Sequence, residues 1–344
     1  MRVPAGRIVL SGVAAVVGAV AALAAVFVLS PDDPAPVRGD VIAYSCKERD
    51  NIWYAICSMK TDGSEKRRLT TRLATSEPAW SPDGRRIAFT RNEDVGEFSS
   101  FTEDDVFVMQ ADGDDPRQLT KEVEGLMSGQ PTWSPDGREI AFVRGESVAT
   151  AVPSRFGDLM VMSADGADVR RLVRGPLNGP AWSPDGREIV FTRGLNLASP
   201  SRGSMDLYVV AAEGGAPPRQ LTRTPAGVFE TAAAWSPDGS RIAFARWTNQ
   251  TQFDGKETIH VVDRDGTGER LVLAHRHFAA GPSSLAWSPD GRTIAFETSP
   301  SRLCTAVALV RVDGGPVRRL TSCENPSLGT LAPAWQPVER AEGP

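Results

Sequence analysis

Short apolar runs alternate with polar stretches rich in Gly and Pro along most of the chain, and the arrangement returns about every fifty residues. One copy contains GPAWS from Gly179, EIVFTR from Glu188, DLYVVAA from Asp206 and RQLT from Arg219. Apolar runs this short, bounded by Gly, Pro and Asp, are typical of strands rather than helices. Each copy is therefore predicted to be a unit of four antiparallel strands.

Two kinds of tight turn join these strands. The first belongs to the motif Trp-Ser-Pro-Asp-Gly, in which Pro fixes φ at the second position of a type I turn and Gly supplies positive φ at the fourth. The second is an Asp-Gly turn between the third and fourth strands, as in ADGDDPRQLT from Ala111. Both turns lie at the same end of a unit, so the longer loops lie at the other end.

The tryptophans before these turns mark the repeat. Their separations are 53, 49, 53, 52 and 48 residues, the spacing expected of propeller blades. Such recurrence favours packing between neighbouring blades over an active site. The six residues at this position are Trp80, Trp133, Trp182, Trp235, Trp287 and Trp335.

The two ends of the repeat region complement each other. VIAYSC from Val41, WYAICSMK from Trp53 and RRLT from Arg67 supply three strands that lack a first strand, and APAWQPV from Ala332 is a first strand with nothing after it. Their pairing would cover two strand edges. The predicted fold is all-β, a six-bladed β-propeller of four-stranded antiparallel blades over residues 41–338, closed by the C-terminal strand and followed by a tail of residues 339–344.

The N-terminal segment has a different pattern. Arg2 and Arg7 precede 22 uncharged residues, Ile8 to Leu29, which as a helix would span about 33 Å and cross a bilayer. We favour one retained transmembrane helix in residues 1–29 over a cleaved signal peptide, because the apolar run is long and no cleavage site is clear. The cations keep the N-terminus inside and place the propeller outside the cytoplasm. Residues 30–40 form a Pro-rich spacer.

Composition and cysteines narrow the function classes. The formal net charge is −5 over 344 residues without a Lys/Arg block, which argues against nucleic-acid binding. Four cysteines in an exported chain indicate disulfides, and three pairings exist. Strand positions favour Cys46 with Cys57 and Cys304 with Cys323.

The repeated sequence WSPDG, IAF, YVM, DG and RRLT resembles the TolB-type, WD40-like six-bladed propeller repeat over about residues 40–338. The resemblance implies the propeller fold, in a family that includes envelope scaffolds, propeller caps of serine peptidases and a few lyases. TolB proper has an additional α/β domain before its propeller, whereas this chain has the predicted anchor there.

Candidate catalytic groups have structural interpretations. The motif aspartates fit their turns. Arginines end four second strands and face Asp105, Asp158 and Asp206 in three units, which favours cross-strand pairing over a cationic ring for an anionic ligand. His275 and His277 form a His-x-His that fits an exposed loop better than a metal site. We therefore predict no catalytic residues, no metal and no cofactor. The four arginines are Arg91, Arg144, Arg193 and Arg246.

The long loops are the predicted binding surface, because they place aromatic residues outside the strand pattern. The loop from Asn92 to Asp105 carries six carboxylates. We expect a protein, peptide or glycan to bind this face of a non-enzymatic, membrane-anchored envelope protein. The alternative is a propeller enzyme, a lyase or hydrolase, with its site at the same mouth. The candidate partner-binding residues are Phe98, Phe101, Phe156, Phe229, Trp247, His275, His277 and Phe278.

Overall fold

The computed structural model describes residues 39–46, 54–71, 74–92, 104–121, 125–146, 157–195, 203–248, 256–276, 284–301, 304–321 and 330–337. The chain divides into two compact parts, Met1–Val37 and Arg38–Pro344, and the described ranges belong to the second. The predicted anchor in residues 1–29 lies outside them. Within the described ranges, no helix has the length and apolar character needed to cross a bilayer.

The described residues form an all-β, propeller-like fold. In chain order its strands are β1 (Val41–Cys46), β2 (Ala55–Lys60), β3 (Arg67–Arg68), β4 (Thr75–Trp80), β5 (Arg86–Asn92), β6 (Asp104–Gln110), β7 (Arg117–Gln118), β8 (Leu126–Trp133), β9 (Glu139–Glu146), β10 (Gly157–Ser163), β11 (Arg170–Trp182), β12 (Glu188–Leu195), β13 (Ser204–Ala211), β14 (Arg219–Gln220), β15 (Val228–Trp235), β16 (Arg241–Thr248), β17 (Lys256–Asp263), β18 (Arg270–Arg276), β19 (Leu285–Trp287), β20 (Thr293–Ser301), β21 (Cys304–Arg311), β22 (Arg318–Arg319) and β23 (Thr330–Trp335).

The strands group into four-stranded antiparallel units. Unit one has the order β23-β1-β2-β3, unit two β4-β5-β6-β7 and unit six β19-β20-β21-β22. Units three to five are joined in one sheet, because β11 serves as the fourth strand of unit three and the first of unit four, and β13 forms one parallel bridge to β15. Strands β15 to β18 make unit five. In unit one, β23 pairs antiparallel with β1, with Ile42 opposite Trp335.

Each apolar cluster of the core lies between two consecutive units. Trp80, Ile87 and Phe89 of unit two pack with Ala43 and Ile56 of unit one, and clusters of the same kind follow between the later neighbours. Another cluster joins unit six to unit one. The motif tryptophans before the first five turns are 6–9% exposed, which confirms their predicted role in packing between units.

The Ser-Pro-Asp-Gly turns have the predicted local chemistry. In the first copy, Ser81 Oγ donates to Asp83 Oδ1 over 2.6 Å, and the backbone N of Gly84 donates to the carbonyl of Ser81 over 2.8 Å. The turn glycine has φ of 66°, a value that other residues adopt at a cost. These bonds confirm the structural interpretation of the aspartate.

The threonine that ends the Arg-x-Leu-Thr run also has a structural role. Its Oγ1 accepts a hydrogen bond from a backbone N of the third strand, at 2.9–3.0 Å, and so ties the short fourth strand to the sheet. The donors and acceptors are Ile56 with Thr70, Val106 with Thr120, Leu207 with Thr222, and Val307 with Thr321.

The strands reach further toward the long loops than the sequence indicated. Phe229 lies in β15, Trp247 in β16 and His275 in β18, so the prediction that these three residues lie in loops was wrong. Phe229 is opposite Trp247 in register, and their rings stack with centroids 4.5 Å apart. Because aromatic cross-strand pairs stabilise a ladder, the hairpin continues where the apolar alternation ends.

Candidate functional site

The first strands of units one to five share a bulge three residues before the motif tryptophan. In unit two the register shifts between Ser76 and Ala79, and Glu77 between them has φ of 57°. Left-handed φ recurs at the same position at 52–57° in Gln130, Ala232 and Ala332. A non-glycine residue in this region costs about 1–2 kcal/mol, so this strain is a repeated property of the first strands.

A relay of hydrogen bonds connects the bulges of neighbouring units. The backbone N of Gln130 donates to Glu77 Oε2 over 2.9 Å, and the backbone N of Gly179 donates to Gln130 Oε1 over 2.8 Å. Thr90 Oγ1 also donates to Glu77 Oε2, over 2.8 Å. After Gly179 the equivalent residues are Ala232, Ser284 and Ala332, which are all small. The inner strands therefore have a side with long polar residues and a side of small residues.

Unit five carries a row of residues across all four of its strands. The register sets Phe229 opposite Trp247, Trp247 opposite Glu257, and Glu257 opposite His275. The structure thus brings three of the predicted partner-binding residues, Phe229, Trp247 and His275, to one level of one unit. The indole Nε1 of Trp247 is buried and has no hydrogen-bond partner among the described residues.

Glu257, within this row, was not singled out by sequence reasoning. It is 1% exposed. Burial, with a further contribution from the charge of Glu297, raises the pKa of Glu257 to about 9. The side chain is therefore a neutral carboxylic acid at pH 7, which can donate a hydrogen bond as well as accept one.

A second buried glutamate, Glu230, lies one residue further along β15 and forms an ion pair. Arg246 Nη2 donates to Glu230 Oε1 over 2.6 Å, and Arg246 Nη1 donates to Glu269 Oε1 over 2.6 Å. Nδ1 of His260 lies 2.8 Å from Glu269 Oε1. Burial raises the pKa of Glu230, and the bonds from Thr222 and Arg246 oppose that shift.

The predicted opposition of arginines and acids is confirmed in the register. Arg91 faces Asp105, Arg144 faces Asp158, and Arg193 faces Asp206. Two of these acids nevertheless bond to other partners. Asp158 forms an ion pair with Arg171 over 3.1 Å.

Asp206 accepts hydrogen bonds from Gln220 Nε2 over 3.0 Å and from Thr224 Oγ1 over 2.7 Å. Arg144 donates through Nε to Ser128 Oγ over 3.0 Å. In units three and four, the facing arginine is therefore not the partner that these bonds show.

The remaining candidates have mixed outcomes. Cys46 and Cys57 form the predicted disulfide, with their Cα atoms 5.8 Å apart. Cys304 begins β21, but its predicted partner Cys323 lies outside the described residues. Phe98, Phe101, Phe156, His277 and Phe278 also lie outside them. In the described ranges, no three His, Cys, Asp or Glu side chains come together as a metal site would require.

Departure from the repeat is the signal that would have found Glu230. At the position five residues before the motif tryptophan, Glu230 replaces Thr75, Ser128 and Leu177 of earlier units. A carboxylate at a position that is apolar or weakly polar elsewhere in a repeat indicates a local function or a local partner.

Comparison with known proteins agrees with this fold. Residues 97–338 match the family described as the TolB beta propeller domain. TolB from Acinetobacter baumannii is 20% identical and superposes with a TM-score of 0.67, over 98% of this chain and 74% of its own. An oligogalacturonate lyase from Vibrio parahaemolyticus is 13% identical with a TM-score of 0.52, over 79% of this chain and 72% of its own.

A curated relative, the uncharacterized peptidase YuxL of Bacillus subtilis, is 34% identical over 102 residues, which are 28% of this chain and 14% of the peptidase. This match is thus confined to a small part of the relative. At their low identities, the two solved structures show similarity of fold alone. The family match covers more than half of the chain, and the protein therefore belongs to the TolB beta propeller domain family.

Proposed function

We propose that this protein is a non-enzymatic, extracytoplasmic binding or scaffold protein, which captures a protein, peptide or glycan at the long-loop end of a six-bladed propeller. The observation that carries the proposal is the repeated bulge, with strained non-glycine residues at Glu77, Gln130, Ala232 and Ala332. Strain retained at one position of successive units favours a functional role for the surface that those strands form.

Contacts between the first strands support a closed ring of six blades. Strand β4 contacts β8, β8 contacts β11, β11 contacts β15, β15 contacts β19, β19 contacts β23, and β23 contacts β4 again. The pairing of β23 with β1 supports closure by the C-terminal strand. In such a ring the bulges face the central channel, and the Glu77 to Gly179 relay lines part of it.

The first described strand begins at the turn end of the fold, since Val41 pairs with Lys60 next to the tight turn that begins at Thr61. The disulfide between Cys46 and Cys57 supports an oxidising compartment.

The loop between β5 and β6 gives this surface its proposed partner chemistry. It combines six carboxylates, counted from Asn92 to Asp105, with Phe98 and Phe101. Carboxylates around apolar rings suit a basic or amphipathic segment, since charge accelerates encounter and the rings supply buried area. The stacked Phe229 and Trp247 add an aromatic anchor in unit five.

A propeller enzyme with its site at the same mouth is the second candidate. It is favoured by the similarity of fold to the Vibrio lyase and by the short match to the Bacillus peptidase. Turnover of oligogalacturonate or of a peptide library by the purified full-length chain, abolished by substitutions in the channel, would favour this candidate over the binding function.

The loop between β5 and β6 provides the direct test. Asn92 pairs with Asp104, so residues 93–103 can be replaced by a four-residue turn without shortening either strand. We expect the full-length variant to remain folded. The yield of partners crosslinked to it in the native membrane should fall at least about tenfold. Association with the wild-type loop should slow as salt rises.

Arg187→Ala, an exposed change at the turn end, is the matched control and should retain capture. Unfolding of the shortened variant, or unchanged capture of the same partners, would show that the loop has a structural role and no part in binding.

A further inference from the structure

The five Ser-Pro-Asp-Gly turns pack on one another at the end of the propeller opposite the long loops. The proline of each turn lies against the glycine of the next, so a Cβ built on Gly137 would lie 3.4 Å from Pro82 Cγ. The same relation holds for Pro135 with Gly186, Pro184 with Gly239, and Pro237 with Gly291, at 3.3–3.6 Å.

This series of turns is incomplete at the sixth position. Trp335 is followed by Gln336 and Pro337 rather than by Ser-Pro-Asp-Gly, so no turn glycine follows to cover Pro289. Trp335 is accordingly only partly buried, unlike the other five motif tryptophans. A cavity of about 660 Å³ opens here, and Pro184, Pro237, Pro289, Pro337 and the two indoles Trp287 and Trp335 form its apolar wall.

Two carboxylates of the cavity are available to a ligand. Asp238 and Asp290 each use Oδ1 within their own turns, where Ser236 and Ser288 donate to it over 2.6 and 2.5 Å. Neither aspartate forms an ion pair with a described residue. The equivalent Asp185, outside the tryptophan wall, is paired with Arg264 over 2.8 Å.

Both cavity aspartates are ionised at neutral pH. The hydrogen bond from Ser236 is the main cause that lowers the pKa of Asp238, to about 2, and the bond from Ser288 lowers that of Asp290. The one cation in the lining is Arg241, whose guanidinium lies 5.3 Å from the ring centroid of Trp287. The lining thus carries two negative charges and one positive charge.

We propose that this cavity binds a basic side chain, an arginine or lysine presented by a partner protein. The apolar wall fits the alkyl part of such a side chain, and Asp238 and Asp290 meet its cationic head. The volume lies within the range of small-ligand sites, roughly 300–1,000 Å³. This site is separate from the long-loop surface, and it does not depend on the function proposed for that surface.

The test uses blocked arginine, N-acetylarginine methylamide, as the probe and the corresponding citrulline derivative as its uncharged isostere. Binding to the full-length protein is followed through the indole N–H resonances of Trp287 and Trp335, assigned with Trp→Phe variants. We expect saturable binding of the arginine derivative, at least about tenfold weaker binding of the citrulline derivative, and weakening by salt.

The double variant Asp238→Asn and Asp290→Asn should weaken binding at least about tenfold, because Asn keeps the oxygen that the turn uses and removes the charge. Asp136→Asn, at the same turn position but outside the cavity, should not change the affinity. A thermal melt of each variant verifies the fold. Equal binding of arginine and citrulline, no saturation, or full affinity in the double variant would overturn the proposal.

Discussion

The two buried glutamates of unit five show how differently one residue type behaves at equal burial. Glu230 is 0% exposed and Glu257 is 1% exposed. Glu230 accepts from Arg246, from Thr222 and from the backbone N of Leu207, the last over 3.2 Å. For Glu257, burial and the charge of Glu297 both raise the pKa, to about 9. At equal burial, the charges and donors around a carboxyl therefore decide how far its pKa moves.

The largest expected effect comes from removing the cation at Glu230. Arg246→Met should lower the free energy of unfolding by about 3–5 kcal/mol, because Glu230 would remain buried without its charged partner. Urea unfolding of the full-length chain, followed by tryptophan fluorescence, measures this.

The matched control is Arg144→Met in unit three. Arg144 lies at the equivalent position of β9, but its Nε donates to Ser128 Oγ, and Ser128 occupies the position that corresponds to Glu230. We expect this change to cost about 1–2 kcal/mol. Adding Glu230→Gln to Arg246→Met should recover part of the loss. Equal losses for the two arginine variants would show that Glu230 does not need its partner.

The second prediction concerns the pH dependence of stability at Glu257. The native carboxyl holds its proton up to a pKa of about 9, whereas the unfolded one releases it near the ordinary value of 4.5. A raised native pKa contributes stability that is present below the unfolded pKa and is lost as pH rises through the native one. Between these values, the contribution falls by about 1.4 kcal/mol per pH unit.

Glu257→Gln isolates this contribution, because Gln resembles the protonated acid and does not titrate. The wild type should be the more stable protein toward the acidic end of the window and should lose that advantage toward the alkaline end, in urea unfolding at several pH values. A difference in the free energy of unfolding between wild type and variant that stays constant with pH would mean that Glu257 is ionised in the native protein.

The sequence predicted the part of the fold that repeats. Turn residues such as Pro82 and Gly84, the position of Trp133 and the assignment of the last strand follow from chemistry that each unit satisfies locally or with its neighbour. The pKa shifts of Glu230 and Glu257 could not be predicted from the sequence. They depend on Arg246, Thr222 and Glu297, which come from different strands and units. The extent of strands at Phe229 and Trp247 was also missed, because an aromatic stack replaces the usual alternation there.

The smallest expected effect concerns a neutral group, the indole N–H of two motif tryptophans, with and without a hydrogen-bond acceptor. The indole Nε1 of Trp133 donates to the carbonyl of Ala79 over 3.2 Å, whereas Nε1 of Trp182, at the same position of the next unit, is buried without a hydrogen-bond partner among the described residues. Trp133→Phe and Trp182→Phe remove similar apolar area, but only the first loses a hydrogen bond. Trp133→Phe should therefore cost about 1 kcal/mol more in urea unfolding. Equal costs would show that contact area alone stabilises these packing sites between units.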